Sequence, residues 1–208
     1  MQYLYMSRIL RNFLLLLFIL AAVTAGSSAD AAPEKILIMP NIGYVKLPGD
    51  INLTPLKSTT GPAWDLAGQD QDKGKAVSRT ARLTASEYPP ASLGVDKSLF
   101  TTTARPQSGQ AAQVGDAVKR YMTRYLAQNG GKLLNFYPTE TAPIGNRRAW
   151  AFSMRADLGY EGASSVFIKT YMLVTDTRVT EVMLVCPDSD RRYWGPMLSR
   201  AMATSGGR

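Results

Sequence analysis

The stretch "TYMLVTDTRVTEVMLVCPDSDRRYW" (170–194) contains two apolar runs separated by the polar turn TDTR (175–178). The second run ends at Cys186, the only cysteine, and Pro187 follows it. Two apolar runs joined by so short a turn predict an antiparallel pair of strands. Proline has no N–H to donate to a neighbouring strand, so we expect the strand to end here. Cys186 is then predicted to pack as a small buried hydrophobe rather than to act chemically.

Upstream of this hairpin, further short apolar segments are bounded by turn residues. The turn PIGN (143–146) separates the first two and GYEG (159–162) the next two. Large Trp150, Phe152 and Met154 alternate with smaller neighbours, which places them on one face of a strand. The sequence therefore predicts an antiparallel meander of four strands, at 132–137, 148–157, 165–174 and 179–186.

Two segments have the periodicity of amphipathic helices. Residues 111–128 carry apolar side chains at steps of three and four, and Asn129-Gly130-Gly131 ends the run. We expect a second helix after Ser189 as its N-cap, with an apolar stripe formed by Tyr193, Met197, Leu198, Ala201 and Met202. Both helices are predicted to cover the sheet rather than lie on a membrane, which gives an α+β fold with α/β/α layers.

The N-terminal half of the chain has weaker signals. Two short strands are predicted at 35–39 and 43–47, with Pro40-Asn41 as the turn. Residues 52–110 are rich in Thr, Ser, Gly and Pro, and only 78–86 and 97–104 look like strands. We therefore expect this loop-rich middle to form sheet edges and long loops within a single domain that spans 32–208.

Residues 1–31 have the layout of a secretory signal peptide. Arg8 and Arg11 precede the apolar run 13–23, and Ala29-Asp30-Ala31 supplies a small-x-small cleavage site before Ala32. An uncleaved anchor is the alternative, but this run is shorter than the ~20 residues that span a bilayer. The prediction is a periplasmic or secreted protein from a bacterium with an envelope, with no transmembrane helix after cleavage.

Several catalytic classes are excluded because the chain has no histidine and one cysteine. Ser-His-Asp and Cys-His sites, histidine-ligated zinc and thiolate metal cages all need those residues. Carboxylate or lysine chemistry remains possible, or no chemistry. Asp70, Asp72 and Gly74 resemble the start of a calcium loop, but Ala81 stands where the twelfth-position glutamate belongs. We predict a solvated loop there, and no catalytic residue, metal site or cofactor.

The formal net charge of +8 indicates anionic partners. Arg147-Arg148 and Arg191-Arg192 are the candidate clusters, and neither has the aromatic interleaving of a nucleic-acid site. We therefore expect no nucleic acid. If the charge serves binding, we expect an anionic envelope surface, an acidic polysaccharide or an acidic protein as the partner, but general solubility is the favoured explanation.

The order of these segments resembles the PsbP-like domain family. The resemblance rests on "GYVKLPGD" (43–50), on the helix before "LLNFYPTETAPIGNRRAWAFSM" (133–154) with its Ile-Gly-Asn turn, and on the final two strands, turn and helix. It implies an α/β sandwich with an antiparallel sheet between helices. It also implies a binding or assembly role, and it supplies no catalytic or binding residue.

Two functional hypotheses follow. The first is an exported, non-enzymatic module that binds a protein or an envelope component. The alternative is a small-ligand-binding protein or an enzyme that uses carboxylates, tyrosines or arginines. A pocket lined by Arg148, Tyr160 or Tyr171 would favour the alternative.

Overall fold

The structure is a computed structural model that describes residues 32–72, 74–93, 96–100, 106–159 and 165–206. The predicted signal peptide, residues 1–31, lies outside them. The described residues form ten strands and two α-helices: β1 (Lys35–Met39), β2 (Gly43–Leu47), β3 (Asn52–Leu56), β4 (Ala63–Asp72), β5 (Lys75–Tyr88), α1 (Gln110–Gln128), β6 (Lys132–Phe136), β7 (Glu140–Ile144), β8 (Arg147–Asp157), β9 (Val166–Val174), β10 (Val179–Pro187) and α2 (Arg191–Ala203). The chain from Pro33 onward forms one compact unit.

Eight of these strands form one antiparallel sheet in the order β3-β4-β5-β10-β9-β8-β6, and β7 pairs with the same edge of β8 as β6 does. The predicted meander is found in β8, β9 and β10. One turn prediction is wrong, because Pro143 and Ile144 belong to β7 and only Gly145 and Asn146 make the turn. Gly145 has a φ of 55°, a left-handed conformation that glycine adopts without a steric penalty.

The prediction for 52–110 is only partly right: β3 forms the predicted sheet edge, but long loops do not fill this segment. It contains β3, β4 and β5, and β5 is a 14-residue strand that pairs with β10 inside the sheet. The strand signal at 78–86 is confirmed, whereas Lys97–Phe100 forms a 3₁₀ turn and 101–105 lies outside the described residues. In β5 one face is small and buried, as at Ala81 and Ala85, while the other is polar, as at Thr84. A strand with this pattern has an amino-acid composition similar to that of a loop, so composition alone does not reveal it.

One face of the sheet, here called the α2 face, is covered by α2 and by the two-stranded ribbon β1–β2. Trp194 and Leu198 of α2 are fully buried against the sheet, and Val45 of the ribbon is equally buried. The strands contribute alternate residues to this core, among them Leu83, Tyr171, Leu184 and Cys186.

The opposite face, here called the α1 face, is covered by α1 and by the two 3₁₀ turns before it. Val114 and Leu126 of α1 pack over Trp150, whose indole N–H donates a 2.9 Å hydrogen bond to the carbonyl oxygen of Phe100. Phe152, Met154, Ile168 and Val179 complete this core. The three layers are helix and ribbon, sheet, and helix, so the predicted α+β fold with α/β/α layers is confirmed.

The start of α2 differs from the prediction. A 3₁₀ turn, Asp188–Asp190, precedes the helix, and the hydroxyl of Ser189 donates to Asp190 Oδ1 rather than capping the helix N–H groups. The helix is therefore held at its start by the ion pairs of the two aspartates. Neither helix of the described residues combines the length and apolar character that crossing a membrane requires.

Candidate functional site

Three polar side chains meet where α2 crosses β9. Lys169 and Tyr171 are two residues apart in β9, so they project from the same face, and Ser199 of α2 lies above them. Lys169 Nζ donates a 2.7 Å hydrogen bond to Ser199 Oγ, and the Tyr171 hydroxyl donates to the same oxygen at 3.2 Å. Ser199 donates its own proton to the carbonyl oxygen of Gly195 at 3.0 Å. We call Lys169, Tyr171 and Ser199 the Lys169 cluster.

The ammonium group of Lys169 is partly buried, an environment that disfavours its positive charge. Burial lowers the pKa of Lys169, and the carboxylate of Glu140 opposes that shift. Among the residues that the structure describes, none forms an ion pair with Lys169, and the ammonium instead lies 5.7 Å from the centre of the Tyr171 ring. Burial likewise raises the pKa of Tyr171. Burial thus makes the uncharged amine more accessible than in an exposed lysine, and it lies beside a hydroxyl group.

A second polar group of the α2 face, the Asp188 cluster, comprises Arg155, Asp188 and Arg191. Asp188 accepts from Arg155 at 2.7 Å and from Arg191 at 2.8 Å. Burial alone would raise the pKa of Asp188, but the hydrogen bonds from both arginines hold it below its usual range. These contacts fix the start of α2 on the sheet. They also pair Arg191 with a carboxylate, whereas Arg192 is exposed and forms no such ion pair with the residues that the structure describes.

The other basic pair, Arg147-Arg148, lies at the β7–β8 hairpin. Arg147 donates to the carbonyl oxygen of Asn41 in the ribbon turn, and Arg148 donates to the backbone and hydroxyl oxygens of Thr141. Arg148 lies on the Trp150 side of β8, whereas Tyr171 lies on the opposite face of the sheet. The structure therefore does not bring Arg148 and Tyr171 into one pocket, and Tyr160 falls outside the described residues.

Asp70 and Asp72 do not lie in a loop. Both belong to β4, and their carboxylates lie 3.5 Å and 3.9 Å from the guanidinium of Arg79. Arg79 also pairs with Asp190 at 2.9 Å, which ties the β4–β5 hairpin to the start of α2. The prediction of a solvated loop is wrong, because the aspartates continue the strand up to the turn at Gly74.

Cys186 lies at the end of β10, as predicted, with 2% of its surface exposed. Burial raises the pKa of its thiol to about 12, and the nearby Asp190 and Asp188 carboxylates act in the same direction. The thiolate form is therefore suppressed at neutral pH. The prediction that Cys186 is buried at a strand end is confirmed.

The α1 face has one ionisable group in an unusual setting. Glu181 of β10 accepts a 3.1 Å hydrogen bond from the Tyr88 hydroxyl. Burial raises the pKa of Glu181 and outweighs this hydrogen bond, which lowers it. Burial and the Glu181 carboxylate together raise the pKa of Tyr88 well above its ordinary value. Among the carboxylates of the described residues, Glu181 is therefore the one whose pKa burial shifts towards the neutral form.

An exposed apolar surface lies on the outer side of the ribbon. Ile36 is 60% exposed, Ile38 75% and Tyr44 40%. Leu37 and Met39, which alternate with the two isoleucines along β1, face the core. We call Ile36, Ile38 and Tyr44 the ribbon face. The sequence did signal it: "KILIM" is apolar at every position after Lys35, and a two-stranded ribbon can bury only one of its faces.

The outer edge of β1 is open as well. Tyr44 exchanges both backbone hydrogen bonds with Gly206, at 2.9 Å and 3.0 Å, so its backbone groups point away from β1. Tyr44 stands opposite Ile38, and in an antiparallel ladder such a pair shares no hydrogen bonds. The N–H and C=O groups of Ile38 and, by the same alternation, of Ile36 therefore point outward. Among the described strands, β1 pairs with β2 alone.

The comparisons with known proteins give structural neighbours only. No protein-family model matches the chain, and no curated protein sequence matches it. The chain is similar to the solution structure of the cyanobacterial PsbP protein CyanoP from Synechocystis sp. PCC 6803, with 8% identity over 89% of this chain and 98% of that one and a TM-score of 0.46. It is also similar to the Pseudomonas aeruginosa protein PA94, of unknown function, with 14% identity over 84% and 97% of the two chains and a TM-score of 0.33. A protein of the PsbP family, which the sequence resembles, is thus among the structural neighbours at low identity.

Proposed function

We propose that this protein is an exported binding or assembly module of the bacterial envelope, and that it binds its partner through the ribbon face. The observation that carries the proposal is the combination of two largely exposed isoleucines with an open strand edge on one short ribbon. Export itself follows from the layout of residues 1–31. Soluble proteins usually protect an apolar edge strand with charges, proline or a covering element.

The chemistry of the ribbon face suits an extended segment of a partner protein. A strand laid against β1 would satisfy the outward backbone groups of Ile36 and Ile38, which is the recognition mode called strand addition. Burying the two side chains would add about 1–2 kcal/mol each. The partner strand should therefore carry apolar side chains at alternate positions, where they meet Ile36, Ile38 and Tyr44.

Site-specific photo-crosslinking of the full chain, expressed in a bacterium with an envelope, tests this proposal. A crosslinking residue at position 38 is compared with one at position 134, because Leu134 is a large exposed apolar residue outside the ribbon, 44% exposed. We expect one discrete heteromeric product from position 38 and none from position 134. The product should persist at moderate salt and disappear when Ile36→Ser is added.

Three results would contradict the proposal. Equal products from both positions would show that the ribbon face is not selective. A broad set of products lost at moderate salt would attribute binding to the net positive charge alone. A product of twice the mass of the chain would make the occupant a second copy rather than a partner.

The alternative, a small-ligand-binding protein or an enzyme, is favoured by one observation, the Lys169 cluster. The absence of histidine excludes the common nucleophilic sites, but it does not exclude chemistry that uses a lysine as the base. Lys169 is the lysine of the described chain that the fold places, partly desolvated, beside a hydroxyl group.

A further inference from the structure

The Lys169 cluster contains one element of nucleophilic catalysis, a serine hydroxyl within hydrogen-bond reach of a base. An unactivated serine is a weak nucleophile, and it becomes reactive when a base lies within hydrogen-bond reach of its hydroxyl. The 2.7 Å separation between Lys169 Nζ and Ser199 Oγ satisfies that geometry. Serine–lysine pairs are one of the recurring variants of the serine–histidine arrangement, and they need no histidine.

We propose that Ser199 is a nucleophile that accepts an acyl group from esters, with Lys169 as the base that takes its proton and Tyr171 as a positioning residue. Tyr171 fixes the Ser199 oxygen by donating a hydrogen bond to it at 3.2 Å. Since the side chain of Tyr171 is 2% exposed, its hydroxyl is held in one place by the core.

The reaction begins with a rotation of the Ser199 hydroxyl. In the resting arrangement this proton is directed at the Gly195 carbonyl oxygen, and rotation about the Cβ–Oγ bond turns it towards Nζ of uncharged Lys169. As Oγ bonds to the ester carbonyl carbon, the proton passes to Lys169. The carbon–oxygen bond of the ester then breaks, and the leaving alkoxide takes the proton from Lys169 as an alcohol. Ser199 is left as an acyl ester, which water can cleave to a carboxylic acid.

The environment of Lys169 supports its role as a base. Burial lowers the pKa of Lys169, so a larger fraction of the amine is uncharged than for an exposed lysine. Glu140 counteracts this effect from β7, where it lies opposite Ala151, which in turn stands opposite Tyr171. Glu140 is exposed, and Lys169 and Ser199 are half-buried, so the cluster keeps part of its surface accessible to solvent.

The test is acylation of the full chain by p-nitrophenyl acetate, with release of p-nitrophenol followed over time and the adduct located by peptide mass spectrometry. We expect an acetyl group on Ser199 that hydroxylamine removes, because an ester is labile to it and a lysine amide is not. Ser199→Ala should abolish this adduct. Lys169→Met should slow its formation about 100-fold, the usual contribution of a general base.

Two further variants separate catalysis from a structural role. Glu140→Gln removes the charge that favours the ammonium form, so acetylation should become faster at neutral pH and its pH profile should shift to lower pH. A merely structural hydrogen bond would not respond in this way. Lys119→Met, which changes an exposed lysine of α1, is the matched control and should leave the rate unchanged.

Three outcomes would overturn the proposal. The first is no adduct on Ser199 of the folded wild-type chain. The second is a hydroxylamine-resistant adduct on Lys169 itself, which would make the amine the nucleophile. The third is an equal rate of Ser199 acetylation in the wild-type chain and in Lys169→Met, when circular dichroism shows that both proteins are folded. Because none of these readouts involves the ribbon face, failure here leaves the binding proposal standing, and the crosslinking result does not bear on Ser199.

Discussion

On the α1 face the sheet is covered by apolar and aromatic packing, with Trp150 bonded to the Phe100 carbonyl and α1 laid over the meander strands. On the α2 face the core is also apolar, but its covering helix is tied down by Arg79–Asp190, by the Asp188 cluster and by the Lys169 cluster. Half-buried charges cost free energy unless they are well paired. The comparison therefore locates pH sensitivity and potential chemistry mainly on the α2 face, while the α1 face serves mainly for stability.

The two fully buried tryptophans provide the sharpest test of this difference. The indole N–H of Trp150 has a partner, whereas that of Trp194 has none among the described residues. Trp150→Phe removes a buried hydrogen bond to the Phe100 carbonyl oxygen, but Trp194→Phe removes a donor that had no partner among the described residues. We expect Trp150→Phe to lower the free energy of unfolding by about 1 kcal/mol more than Trp194→Phe. Urea denaturation measures both, and equal losses would contradict the asymmetry.

The Asp188 cluster should respond to acid in a defined direction. Its arginines hold the pKa of Asp188 below the usual range in the folded chain, so this stabilisation is complete above the unfolded value of 3.8. It is lost as the pH falls through the folded pKa. Asp188→Asn should cost about 1 kcal/mol at neutral pH and nothing once the wild-type carboxyl is protonated. Asp116→Asn, at an exposed site on α1, is the control and should leave the free energy of unfolding unchanged at both pH values.

Glu181 is the exception on the α1 face, and it should respond in the opposite direction. Burial raises its pKa, so at a pH above that raised pKa the folded state carries a buried negative charge that lowers its stability. Glu181→Gln keeps an acceptor for the Tyr88 hydroxyl and removes the charge. We expect a modest gain in thermal stability at neutral pH that vanishes below the unfolded pKa of 4.5. A loss at neutral pH would show that the carboxylate is better compensated than the geometry indicates.

These differences between the faces were only partly readable from the sequence. The meander strands and both helices have strong periodicity, so their positions could be predicted to within a few residues. The β4–β5 hairpin was predicted only in part: Ala81, Leu83 and Ala85 alternate with polar residues and indicated the strand at 78–86, but β4, which is polar from Gln69 to Asp72, gave no such signal. Local composition decides such predictions, whereas the pairing of β5 with β10 is a long-range event.

The candidate sites were still harder to predict. Lys169 and Tyr171 are separated by one residue, but Ser199 belongs to another element. No local sequence pattern predicts that the Ser199 hydroxyl of α2 packs over β9. The charges beside Asp188 and Asp190 similarly depend on Arg79 and Arg155 from distant strands. The ribbon face was the one site with a local signal, since an uninterrupted apolar strand in a two-stranded ribbon must expose one side.

The backbone bridge between Tyr44 and Gly206 has a consequence for the time course of folding. The ribbon completes its pairing only when residues from the far end of the described chain are present, and β5 likewise pairs with β10 across about a hundred positions, with Thr84 and Met183 99 apart. Contacts of such long range form slowly, because the intervening chain must first be ordered. A chain that emerges N-terminus first therefore cannot close this fold early. For a protein proposed to be exported, that delay would keep the chain unfolded, and so ready for translocation, until its last helix has been synthesised.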